Sequence, residues 1–175
     1  MVNERGDVAY FAFPSAPPRY LTLVDRSGTG RRVPVSAGNF RHPRLSPDGT
    51  RLAINERRDL WVLDLRTSAW TRLTTNDDIT EPQWSPDGRR LAHTVFDTTS
   101  GWNPPALRNA DGSGSARIIR TDVGDAWTSD WSPDGSRLAV YGGTVGISVS
   151  VVDLDSAHQV HPVTSTAAIA RNARF

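Results

Sequence analysis

The chain contains no cysteine and no lysine, three glutamates, one methionine and no apolar run long enough to span a bilayer in its 175 residues. Each absence removes some chemistry. Without cysteine there is no disulfide, no thiolate nucleophile and no cysteine-ligated zinc. Without lysine there is no Schiff base and no lysine general base; all 20 basic residues are arginine. Of the 19 acids only Glu4, Glu56 and Glu81 are glutamate, and the rest are aspartate, the acid that turns use. A net charge of +1 gives no electrostatic pull toward nucleic acid or an anionic membrane, so neither is expected as a partner. The chain as written shows no signal peptide, and it is expected to remain soluble in the compartment where it is made, without membrane insertion. A sustained helical period of apolar residues is also missing, and 14 glycines and 12 prolines interrupt every candidate helix.

What is present is a repeat. "PRLSPDGTRLAI" (Pro43 to Ile54) returns as "PQWSPDGRRLAH" (Pro82 to His93) and again as "DWSPDGSRLAV" (Asp130 to Val140). In Ser-Pro-Asp-Gly, proline presets φ, aspartate bonds to nearby backbone and glycine accepts a positive φ, so the tetrapeptide is a tight turn. A large apolar residue (Leu45, Trp84, Trp131) precedes it and Leu-Ala follows, which makes each unit a β-hairpin. The spacing is 39 residues from Leu45 to Trp84 and 47 from Trp84 to Trp131, and Phe175 lies 44 beyond Trp131.

A period near 40 residues built from several short strands predicts propeller blades. "DLWVLDLRTSAWTRLTT" (Asp59 to Thr75) supplies two further strands, as do "ALRNADGSGSARIIRTD" (Ala106 to Asp122) and "ISVSVVDLDSAHQVHPV" (Ile147 to Val163). The expected fold is therefore all-β: one β-propeller or half-propeller domain over 1–175, with four-stranded antiparallel blades. The chain holds four blades' worth of strands, approximately 7–36 plus 170–175, 40–75, 79–121 and 127–163.

These repeats resemble the TolB-type, WD-repeat-like β-propeller family, over nearly the whole chain. The stretch "LVDRSGTGRRVPVSAGNFRHPRLSPDGTRLAI" is most similar in look to propellers attached to bacterial serine/threonine kinases. No Gly-rich phosphate loop or His-Arg-Asp catalytic loop accompanies it. The resemblance implies protein interaction, ligand or peptide handling in some relatives, and a bacterial periplasmic or extracytoplasmic origin. It also implies six or more blades, which this chain does not contain.

The first blade has candidate strands at roughly Val8 to Phe13, Tyr20 to Asp25 and Arg32 to Ser36 but no inner strand, while Ala170 to Phe175 reads as an inner strand without its blade. The remnants complement each other. They fit a closed four-bladed ring, or a homodimer in which each chain lends its terminal strand to the other and leaves no open edge. The exchanged dimer is preferred, because the repeats are written for wider rings. A fragment of a longer protein is the remaining alternative.

The repeat register ranks the polar residues. Three positions before each large apolar residue, at the expected channel entrance, stand His42, Glu81, Thr128 and Asn172. Imidazole and carboxylate converging on an axis are donors for a divalent metal ion, with His42 and Glu81 as its candidate ligands. Asp77, Asp78 and Asp125 lie on connections leading to inner strands. The longest irregular insert, "FDTTSGWNPPA" (Phe96 to Ala106), carries Trp102 and Asn103 on that same face, an anchor for a protein or peptide. Trp84 and Trp131 read as packing residues, and His158 with His161 as a solvated edge. Asp48, Asp87 and Asp134 are accounted for by their turns.

The expected function is thus a binding or scaffolding propeller that self-associates through its terminal strands, with no catalysis and no cofactor. The alternative is a metal-dependent hydrolase of phosphate or carboxylate esters, using a metal-bound water in the channel.

Overall fold

The computed structural model describes residues 19–75, 79–96, 101–121, 124–143, 147–155, 158–164 and 175. It contains strands and no helix among the described residues. β1 (Thr22–Val24) and β2 (Gly30–Arg32) form a two-stranded sheet. The second sheet comprises β3 (Phe40–Leu45), β4 (Arg51–Glu56), β5 (Asp59–Asp64) and β6 (Trp70–Arg72) in sequence order. The third runs through β7 (Ile79–Trp84), β8 (Arg90–Val95), β9 (Pro105–Asn109) and β10 (Arg117–Ile118). The fourth is β11 (Ala126–Trp131), β12 (Arg137–Gly142), β13 (Ser148–Asp153) and β14 (Val160–Pro162). Every pairing is antiparallel, so each full sheet is a four-stranded meander.

The repeated turn joins the first two strands of each full sheet. Ser46 Oγ donates to Asp48 Oδ1 at 2.5 Å, and Ser85 and Ser132 do the same to Asp87 and Asp134 at 2.6 Å. The same serine oxygens accept the N–H groups of Arg51, Arg90 and Arg137, each at 2.9 Å. Glycine is required at the close: Gly49, Gly88 and Gly135 all have φ near +70° (69, 67 and 71).

The sheets pack face to face, and the apolar side chains lie in three separate joints. Alternation along a strand sends neighbours to opposite joints. Leu52 and Ile54 of β4 pack toward the first sheet with Leu21, Val33 and Phe40, whereas Ala53 packs toward the third with Leu60, Trp84 and Leu91. Ala92 of β8 turns the other way, to Trp131, Leu138 and Val140. The innermost strands carry the joints inward, since β3 touches β7 and β7 touches β11. Trp84 and Trp131, 8% and 4% exposed, each reach back to the preceding sheet, where their indole N–H groups donate to the carbonyls of Arg44 (2.9 Å) and Gln83 (3.1 Å).

Two expectations shift in detail. Leu45 occupies the same repeat position as these tryptophans yet is 50% exposed, beside an open groove shared with Thr22 and Val24. It lacks an indole to reach a preceding inner strand. The outer strand expected at Arg32 to Ser36 is instead Gly30–Arg32, because Pro34 has no N–H to extend the ladder. Val8 to Phe13 and most of Ala170 to Phe175 lie outside the described residues. Among the described residues no strand of the first sheet touches the fourth.

Candidate functional site

Each inner strand carries a bulge at the level of the predicted entrance ring. In β3, Arg41 pairs with Asn55 and Arg44 with Ala53, so His42 and Pro43 together oppose Ile54. In β7, Thr80 pairs with Thr94 and Gln83 with Ala92, so Glu81 and Pro82 oppose His93. A proline cannot donate to the ladder, and a bulge is where a strand accommodates one. His42 and Glu81 take up the extra residue with left-handed backbones, φ 49° and 54°. In β11 serine replaces the proline, and the register shift falls between Thr128 and Asp130.

The bulges bring Glu81 and Thr128 together. Thr128 Oγ1 donates to the Glu81 carbonyl at 3.0 Å, and the Thr128 N–H donates to Thr94 Oγ1 at 3.0 Å. Tyr141 of β12 adds a third contact, its hydroxyl donating to Glu81 Oε2 at 3.0 Å. His42 is not joined to Glu81 by any hydrogen bond among the described residues, and its Nδ1 is buried without a partner there. Among the described residues no three His, Asp or Glu side chains gather where a metal ion could be held. Asn172, Asp77 and Asp78 lie outside the described residues.

Trp102 stands 47% exposed on the insert between β8 and β9. Its neighbour Asn103 is fixed: the backbone N–H and Nδ2 both donate to Asp125 Oδ1 at 2.9 Å, and the Asn103 carbonyl accepts the Ala126 N–H at 3.1 Å. The insert of the third sheet is thereby laced to the connection that enters the fourth.

Beside this lacing lies an aromatic array outside the repeat's shared positions. Phe96 meets Trp127 edge-on with ring centroids 5.8 Å apart, and Trp127 stacks on Tyr141 at 6.2 Å with planes 25° apart. Trp127, Tyr141, Asp125, Gly142, Gly143 and Ile147 line a cleft of about 300 Å³. Gly142, at φ 152°, allows the close approach that shapes it, because a Cβ there would sit 2.0 Å from the Asp125 carbonyl oxygen. A departure from the repeat was the available signal: Trp127 replaces Arg41 and Thr80 of the earlier units, and Tyr141 replaces Asn55 and Thr94.

His93 is a second departure from the repeat. It takes the position of Ile54 and Val140 in its repeat, is 1% exposed, and neither ring nitrogen has a hydrogen-bond partner among the described residues. Burial, reinforced by the Arg108 guanidinium, pushes its pKa down to about 4, so the ring is neutral near pH 7. The turn aspartates are held low for another reason. The Ser46 and Ser132 hydroxyls, then backbone N–H groups, stabilise the carboxylates of Asp48 and Asp134 and bring each to about 2. At the outer edge, His161 Nε2 pairs with Asp153 at 2.8 Å rather than with His158.

Four-stranded antiparallel meanders stacked face to face, with their first strands innermost, define a β-propeller, a fold that serves binding and scaffolding. The TolB beta propeller domain family matches residues 2–171, and the chain belongs to that family. It is 32% identical over 112 residues to the uncharacterized peptidase YuxL of Bacillus subtilis, covering 56% of this chain and 16% of that protein. It is 36% identical over 70 residues to the Tol-Pal system protein TolB of Alcanivorax borkumensis, covering 40% of this chain and 16% of that protein. The crystal structure of TolB from Acinetobacter baumannii superposes with a TM-score of 0.70 at 21% identity, over 84% of this chain and 38% of that one. The chain spans 14–16% of the length of the curated relatives it matches.

Proposed function

We propose that this chain is a binding propeller that self-associates through its terminal strands. In this reading it holds a protein or peptide on the face carrying Trp102, Asn103 and Asp125, and performs no catalysis of its own. The observation that carries the proposal is at the end of the chain. The Phe175 N–H donates to Asp130 Oδ2 at 3.2 Å. Asp130 is the repeat equivalent of Arg44 and Gln83, the residues that receive Trp84 and Trp131 from the following blade. The contact differs in kind, a backbone N–H on a side-chain carboxylate instead of an indole on a backbone carbonyl. Its place in the repeat nonetheless supports a reading in which the chain's end lies beside the fourth sheet. In the proposed exchange the first sheet of a second copy, of which β1 and β2 are described, supplies the outer strands of that blade. An extracytoplasmic place of action belongs to the same proposal and rests on the family.

The hydrolase alternative has less behind it, since Glu81 Oε2 accepts from the Tyr141 hydroxyl and no hydrogen bond among the described residues joins His42 to Glu81. The peptidase relative is matched over 16% of its length, and its activity is not carried over.

Native mass spectrometry tests the association. The intact protein is expected near twice the 19.2 kDa chain mass, and removal of residues 170–175 is expected to return it to the single-chain mass. An intact chain that stays monomeric at micromolar concentration overturns self-association.

A further inference from the structure

We infer that the outer face of the first sheet is the socket for the fourth sheet of a second copy, and that opposite charge on the two sheets sets this head-to-tail orientation. The inference rests on the proposed self-association and adds to it a sheet-on-sheet joint beside the exchanged strands.

Three observations converge. The first is a joint position left exposed. β1, β5 and β13 occupy equivalent places, and in each an aspartate follows the last apolar residue: Val24-Asp25, Leu63-Asp64 and Val152-Asp153. Leu63 and Val152 are both 0% exposed, each packed on the sheet before its own, Leu63 with Leu21 and Leu23, Val152 with Leu107 and Ile119. Val24, in the same place, is 64% exposed. Alternate residues of a strand share a face, and Thr22 pairs with Arg32, so Tyr20, Thr22, Val24 and Arg32 form one surface. Tyr20 is 57% exposed on it, with the Arg32 guanidinium 3.6 Å over its ring.

The second observation is a matching surface on the fourth sheet. Val151 alternates with Val152 and so points away from the third sheet. It stands opposite the repeat alanine Ala139, as Val62 stands opposite Ala53 and Leu107 opposite Ala92. Val62 packs with Trp84 and Leu91 of the following sheet, and Leu107 with Trp131 and Leu138 of the one after it. Two described joints thus bring Leu23 to Leu63 and Leu107 to Val152. The pair that continues the series is Val151 with Val24. In the proposed joint these belong to different copies, since among the described residues of one copy the first and fourth sheets do not touch.

The third is charge. Residues 19–75 carry eleven arginines and five acids, whereas residues 76–164 carry six arginines and twelve acids. The net charge of +1 conceals this division. It persists in the two sheets concerned: 19–38 holds four arginines and Asp25, and 124–164 holds five aspartates and Arg137. Two first sheets brought face to face repel, as do two fourth sheets, and only the mixed pairing attracts. Complementary potential of this kind fixes orientation and partner. A head-to-tail contact closes on itself when each of two copies gives one surface and receives the other.

The chain has no cysteine, so single introduced cysteines report the contact. Full chains carrying Val24→Cys and Val151→Cys are mixed and treated with a short bismaleimide, and each is also treated alone. Cross-linked dimer is expected from the mixture and not from either variant by itself. Analytical ultracentrifugation gives the second readout. Val24→Glu, at a site exposed in the single chain, is expected to raise the dimer Kd about a hundredfold by placing an unpaired charge in the joint. Arg32→Glu, and separately about 1 M sodium chloride, are each expected to raise it about tenfold.

If the Val24→Glu dimer is as tight as the parent's, or if the cysteine mixture yields no linked dimer, the sheet joint is overturned while association through the terminal strands survives. Linkage of Val24→Cys to itself as readily as to Val151→Cys overturns the head-to-tail orientation. A parent Kd that ignores salt overturns the role of charge. If the parent itself stays monomeric at micromolar concentration, the inference and the self-association both fall.

Discussion

The Trp131 indole donates its N–H to the carbonyl of Gln83, 3.1 Å away across the joint between consecutive blades. Trp84 repeats the contact to Arg44 at 2.9 Å, and in both joints the arginine that follows the preceding Ser-Pro-Asp-Gly turn covers the indole. The joint thus combines apolar burial, one hydrogen bond and a cation over a ring. Trp131→Leu is expected to cost about 3 kcal/mol, since it leaves a cavity as well as an unpaired carbonyl. Trp131→Phe keeps most of the packing and is expected to cost about 1 kcal/mol for the lost hydrogen bond. Urea unfolding of the two variants against the parent checks the order.

Buried His93 makes stability depend on pH. Its pKa is about 4 in the fold against an ordinary 6.5, so between those values the unfolded chain takes up more protons than the folded one. Its stabilising contribution is complete above pH 6.5, declines as pH falls, and is lost once pH passes below about 4. The span corresponds to about 3 kcal/mol. His93→Val places an apolar side chain where Ile54 and Val140 stand in the other repeats. The variant is expected to unfold later than the parent at pH 5, with the difference narrowing at pH 8. A variant whose stability falls with acid as steeply as the parent's would show that another group is responsible.

The turn aspartates act over a lower window. Asp48 and Asp134 drop from 3.8 to about 2 on folding, so their contribution is present above pH 4 and disappears as pH falls through 2. Ser46→Ala and Ser132→Ala remove the leading cause, and the unfolding midpoint of the double variant is expected to vary less than the parent's between pH 4 and pH 2. Equal slopes would mean that the backbone N–H groups alone set the effect.

Gly142 and Gly28 both have positive φ but differ in surroundings. A Cβ on Gly28 meets nothing within 4 Å, whereas one on Gly142 lands 2.0 Å from the Asp125 carbonyl. Gly28→Ala is expected to cost about 1 kcal/mol for its backbone conformation alone. Gly142→Ala is expected to cost about 3 kcal/mol and to displace the Asp125 connection, because backbone has to move to relieve the overlap. Thermal unfolding, read with the near-ultraviolet signal of Trp127 and Tyr141, separates the two.

The blades could be read from the chain because their determinants are local. The Ser-Pro-Asp-Gly turn carries its own hydrogen bonds within five residues, and the alternation around Leu52-Ala53-Ile54 assigns each side chain to a face. The pairing of Asn103 with Asp125 could not be read that way. The two lie 22 residues apart on connections of different sheets, and only the packing of one blade on the next brings them within 2.9 Å. The same holds for Tyr141 and Glu81, which are 60 residues apart.

The sequence by itself therefore determined the repeating unit, its strands and the equivalent positions of Glu81 and Thr128 on adjacent inner strands, since a fixed spacing places equivalent residues at equivalent heights. It also placed Trp84 and Trp131 in the joints. The tertiary structure alone decided that Leu45 is exposed, that Tyr141 reaches Glu81, and that Trp127, Tyr141 and Asp125 line a cleft. Those outcomes depend on how adjacent blades approach, which follows from side-chain volume and backbone clearance at each joint. A repeat register specifies positions within a blade and carries no information on the distance between two of them.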